Sequence, residues 1–160
     1  MNEIAIFYRY IASSLDRMAA IVAELDEAEL SWQPPAEGAN SLRVIAVHTY
    51  GNAEENVVGL LGGENVRRDR DAEFLVAAGD GPELERRWRS LRPRLESVLD
   101  GLDGEALDQQ YAHPWRGAVS GREVLLVVAR HAAEHLGQAE LTRDLLRRAQ
   151  SSGIVAPTST

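Results

Sequence analysis

The chain has 160 residues, a hydrophobic fraction of 44%, no cysteine and a formal net charge of −8. These values fit one domain of ordinary size, expected over residues 1–150 with a flexible tail at 151–160. They exclude disulfide stapling, thiolate ligands and a cysteine nucleophile. Any metal must then be held by nitrogen and oxygen. The acidic balance argues against nucleic acid, whose binding rests on neutralising phosphates with basic side chains. The basic pairs Arg67-Arg68, Arg86-Arg87 and Arg147-Arg148 sit beside acids and read as solvated helix faces. No apolar run approaches the ~20 residues that cross a bilayer, and no basic stretch leads into an apolar one at the start. A cytoplasmic protein without a membrane partner is expected.

In chain order, Ile4, Tyr8, Ile11, Leu15, Met18, Val22 and Leu25 recur every three or four residues, which predicts one helix over about 2–30. Pro34 and Pro35 stop it. Ser41 suits the N-cap of a second helix over about 42–61, closed by Gly62-Gly63. Residues 64–80 are left open, with 72–78 read as either a short helix or an irregular lid. Asp80-Gly81-Pro82-Glu83 restarts a helix with an acidic cap and a proline in its first turn. Leu84, Trp88, Leu91, Leu95, Val98 and Leu102 form its apolar seam, and Pro93 within it is expected to kink it or remove one hydrogen bond. Residues 101–121 read as a connection, with no strand hairpin expected. Ser120 and Glu123 match a capping box for a last helix running to about 149. The fold class is all-α, a four-helix bundle.

The last helix carries His131 and His135 four residues apart, hence one turn apart on one face. They follow an apolar run, so that face points inward. Two inward imidazoles must each find partners for both ring nitrogens, or repel if charged, and a divalent cation resolves both problems. Neutral imidazole suits zinc and nickel first, with iron and manganese also open. His48 on the second helix, in apolar company, offers a third ligand, and Asn52 and Glu55 continue its face. Three histidines with further positions open to water or substrate is the pattern of a catalytic site. The competing readings are a hydrogen-bonded core residue for His48 and solvated positions for the pair. Glu55 and Glu134 are read either as partners that orient an imidazole or as ordinary ion-pair residues. His113 in the connection is read as solvated, as a substrate contact or as a fourth ligand.

Trp32-Gln33-Pro34, then Asn40-Ser41-Leu42 opening the helix of His48, then His131-x-x-x-His135-x-Gly137-Gln138 resembles the DinB/YfiT-like superfamily over about the whole chain. The resemblance implies a four-helix bundle, often a homodimer, with one divalent metal on His48, His131 and His135. It does not imply DNA binding. Some members are transferases or isomerases that use a low-molecular-weight thiol such as mycothiol or bacillithiol, so a thiol S-transferase acting on a small electrophile is the expected function. A chain without cysteine is compatible with a thiol supplied from outside. Arg43, Arg116 and Arg122 are candidates to hold a carboxylate on thiol or substrate, or else surface arginines. A metal-dependent hydrolase using Glu55 or Glu134 as base, and a non-enzymatic metal-binding stress-response module, are the alternatives.

Overall fold

The computed structural model describes residues 2–76 and 79–153. The first helix, α1 (Glu3–Ala23), starts on the side chain of Asn2, which accepts the amide of Ile4. It does not run on to residue 30 as its apolar stripe predicts. The chain turns at Glu24 and restarts as α2 (Glu27–Ser31) behind a capping box, in which Asp26 accepts the amide of Glu29 and Glu29 accepts that of Asp26. The reciprocal bonds stabilise a new helix start at the cost of continuity with the old one.

The second long helix begins as predicted, with the Ser41 hydroxyl accepting the amide of Val44 at 3.3 Å. It runs as α3 (Leu42–Ala53) and then as π-helical turns over Glu54–Leu61, ending where the Gly62 amide reaches back five residues to the carbonyl of Val57. Almost every residue of α3 is buried, so it is the inner helix of the bundle rather than one with a wet face. A short helix, α4 (Arg70–Glu73), follows within the segment left open from sequence; residues 77 and 78 lie outside the described residues.

The third long helix, α5 (Gly81–Gly101), starts on Asp80 as expected and buries Leu84, Trp88, Leu91, Leu95 and Leu99. Pro93 stays inside it on the exposed side, where the carbonyl it leaves unbonded can meet water. At Gly81 a Cβ would lie 2.1 Å from the carbonyl oxygen of Val22, so α5 begins hard against the end of α1.

The connection then departs from the sequence reading. After α6 (Gly104–Asp108) it forms an antiparallel hairpin, β1 (Gln110–His113) with β2 (Gly117–Ser120). His113 pairs with Gly117 across a three-residue turn, and Gly117 has φ +76°, a conformation that glycine adopts without strain. β1 alternates between exposed and half-buried residues over only four positions and β2 does not alternate, too little for a strand period to be read. The last helix, α7 (Gly121–Ser151), opens on the predicted Ser120–Glu123 capping box. Of the expected tail, Ser151 still belongs to α7, and residues 154–160 lie outside the described residues.

The four long helices pack with α1 against α5 and α7, and α3 with its π turns against the same two. Their shared core includes Ile11, Leu15, Leu42, Tyr50, Leu95 and Leu125. The protein is a four-helix bundle with a hairpin laid between α6 and α7. No helix among the described residues is long and apolar enough to cross a membrane.

Candidate metal centre

His48 enters the site because α3 is buried on all sides, and His131 and His135 enter because the inward stripe of α7 passes through them. The three imidazoles meet in the gap between these helices. His131 Nε2 lies 3.1 Å from His48 Nε2 and 3.1 Å from His135 Nε2. Nitrogens sharing one ion at about 2.0–2.1 Å must lie roughly 3 Å apart, which is the separation found.

The opposite ring nitrogens fix the tautomers. His48 Nδ1 is 3.0 Å from Glu73 Oε2, and His135 Nδ1 is 2.7 Å from Gln138 Oε1. Both partners are acceptor oxygens in these bonds, so both Nδ1 atoms carry the proton and both Nε2 atoms present lone pairs. His131 Nε2 can donate to one of them only. Its own Nδ1 is buried without a hydrogen-bond partner. A cation at the centre accepts all three lone pairs at once; no assignment of protons satisfies the cluster as well. The donor set therefore fits a divalent transition ion with nitrogen preference. Burial, with His135 and His48 alongside, pushes His131 down to about 3, and burial also lowers His135. Both are neutral near pH 7, as ligation requires.

Behind His48 stands a second group of charges, of which the sequence points only to Glu55. Arg68, expected on a solvated helix face, has its side chain buried and lies outside any helix, and Glu73 is not foreseen from sequence. Arg68 donates through Nε to Glu73 Oε1 at 2.7 Å and through Nη2 to Glu73 Oε2 at 2.8 Å, a two-pronged pair. Its Nη1 donates to Glu55 Oε2 at 2.8 Å. Burial alone would raise the Glu73 pKa, but the bonds from His48 and Arg68 outweigh it and hold the carboxyl below its ordinary value. Glu73 is thus an anion. The 3.3 Å approach of Arg68 Nη2 to His48 Nδ1 is then proximity between two donors. The Phe74 ring lies 5.0 Å from that of His48.

The remaining candidates divide by position. Glu55 lines a cavity of about 770 Å³ that His48 and His131 also face, together with Asn52, His113 and Arg116. Glu134 lies outside it, exposed, with Arg130 2.7 Å away. His113 Nδ1 accepts the amide of Trp115 at 3.1 Å, so its Nε2 carries the proton toward Asn56 Oδ1 at 3.2 Å. Both nitrogens are engaged, which ties the hairpin to the π turns and makes His113 a wall of the cavity. Of the three arginines, only Arg116 reaches this cavity. Arg43 is buried in the bundle and donates to the carbonyl of Glu27, while Arg122 pairs with Glu3 and Asp108.

Bundle and cluster together define a helical protein with a three-histidine site that can hold one ion. Residues 10–139 match the model of the DinB superfamily, and the chain belongs to that family. Among solved structures, a conserved protein from Enterococcus faecalis is similar with a TM-score of 0.73 at 17% identity, over 92% of this chain and 99% of that one. A DinB-like protein from Bacillus cereus ATCC 10987 gives 0.67 at 15% identity, over 96% and 95%. The DinB-like protein YjoA from Bacillus subtilis gives 0.60 at 17% identity, over 91% and 93%. At these identities the likeness is one of fold. No curated protein matches the chain.

Proposed function

We propose that this protein binds one divalent transition metal, zinc or nickel first, on His48, His131 and His135, and transfers a low-molecular-weight thiol to a small electrophile. The observation that carries the reading is the convergence of three Nε2 lone pairs at the wall of a cavity of about 770 Å³. When bound there, such an ion supplies Lewis acidity that lowers the pKa of an incoming thiol toward neutrality.

The chain's own residues would do the rest. His48, His131 and His135 would hold the ion, and the cavity that His48 and His131 line would take thiol and electrophile. Asn52 offers an amide group along the cavity wall, and Arg116 offers a cation for a carboxylate on either reactant. Glu55, held by Arg68, lines the cavity together with Asp69 and Asp71, and is a carboxylate that can take the thiol proton. Glu134, paired with Arg130 outside the cavity, takes no part in this scheme. A sulfur–carbon bond forms as the leaving group departs from the electrophile. The same cavity carboxylate also suits a hydrolase, in which Glu55 would serve water instead of thiol.

The test is product formation from a chlorodinitrobenzene electrophile with and without cysteine as thiol, on zinc-loaded, nickel-loaded and chelator-treated protein. Turnover that needs both thiol and metal supports transfer. Metal-dependent turnover without thiol points to hydrolysis, and bound metal without either leaves a binding module.

A further inference from the structure

Among the described residues, the carboxylate that bonds a histidine of the cluster lies in the segment between the second and third long helices. Glu73 is 7% exposed, its Oε2 lies 3.0 Å from His48 Nδ1, and both its oxygens are held by Arg68. The helix it rests on is bare at that point. A Cβ at Gly51 would fall 2.1 Å from Glu73 Oε1 and 3.0 Å from Arg68 Nε, so only glycine leaves room for the pair against α3. Arg68 is further anchored by its bond to the carbonyl of His48 at 3.3 Å. Charge, reach and space thus converge on one ring nitrogen, the one facing away from His131.

We propose that Glu73 is the positioning residue of His48, fixing the tautomer and ring angle that aim Nε2 at the ion, so that metal loading and docking of residues 64–76 reinforce each other. The inference rests on the metal reading above and is independent of the reaction. An ion on Nε2 requires the proton on Nδ1 and makes that N–H a better donor, which strengthens the bond to Glu73. Glu73 in turn makes the imidazole a more basic ligand. By linkage the two effects are equal: whatever the docked segment adds to metal affinity, metal adds to the docking of the segment. Removing such a partner carboxylate characteristically lowers metal affinity by roughly 10–100-fold.

The experiment is a zinc titration against a chromophoric chelator for wild type, Glu73→Gln and Glu73→Ala, with the Co²⁺ absorption spectrum of each. Glu73→Gln keeps an acceptor oxygen without the charge, and Glu73→Ala keeps neither. Affinity is expected to fall in that order, with the alanine variant down by at least ~10-fold and its Co²⁺ bands displaced. Amide exchange of the wild type, with and without saturating Zn²⁺, needs no variant: residues 68–76 should exchange more slowly when zinc is bound. Zinc binding by Glu73→Ala within threefold of the wild type, with unaltered Co²⁺ bands, would overturn the proposal while leaving the metal site standing. So would exchange in 68–76 that zinc does not slow. A wild type that binds no metal would overturn both readings together.

Discussion

Two arginine–glutamate pairs flank the histidine cluster. Arg130 and Glu134, one turn apart on α7, meet at 2.7 Å with side chains 59% and 52% exposed. Arg68 and Glu73 meet at the same 2.7 Å with side chains 7% and 8% exposed. Water already solvates the first pair, and such exposed i,i+4 pairs contribute only ~0.3–0.5 kcal/mol. The second has little water to fall back on, and breaking a buried pair from one side costs about 3–5 kcal/mol because a charge is left uncompensated. Glu134 is next to His135 in sequence, yet its bond goes to Arg130. Glu73 is 25 residues from His48 and bonds its ring. Burial, more than adjacency along the chain, decides which carboxylate acts on an imidazole.

The largest effect expected from this contrast is on folding. Arg68→Met should lower stability by about 3 kcal/mol in urea unfolding, since Glu73 and Glu55 lose their common counter-charge. A loss below ~1 kcal/mol would mean the inner pair is as well solvated as the outer one. Next comes a pH dependence of the metal-free protein. His131 is pushed down to about 3 when folded, by burial first and its neighbours second, against 6.5 ordinarily. Between those values the unfolded chain takes up a proton that the folded chain refuses. Stability is therefore full above about pH 6.5 and falls as the pH drops toward 3. The urea midpoint should drop between pH 7.5 and 5, and drop less in His131→Leu; equal slopes in the two proteins would contradict the assignment. The smallest effect belongs to the outer pair. Glu134→Ala should change stability by no more than ~0.5 kcal/mol and leave zinc affinity unaltered. A tenfold loss of affinity would place Glu134 among the residues that tune the site and erase the contrast.

What could be read from sequence follows the same division. His131 and His135 were legible because one helical turn puts them on one inward face, and His48 because it sits within apolar residues of a helix opened by Ser41. The capping box at Ser120 marked the start of α7. The break after α1 was also written in the chain, as Asp26 and Glu29, but the apolar stripe running on to Leu25 masks it. The π turns leave no trace in residue type, since Glu54–Leu61 differs from an α-helix only in which carbonyl each amide meets. Glu73 was out of reach for another reason. It stands in a segment without periodicity, and its place depends on a missing side chain at Gly51 and on the fork of Arg68. Contacts of that kind exist only once the helices have packed.

The central claim is that three histidines hold one ion, and zinc stoichiometry tests it most directly. Chelator-treated wild type and His131→Ala would be dialysed against equimolar Zn²⁺, washed and assayed for bound metal. The account predicts one equivalent on the wild type and loss of stoichiometric binding in the variant. Full retention by His131→Ala, or no metal on the wild type, would contradict it.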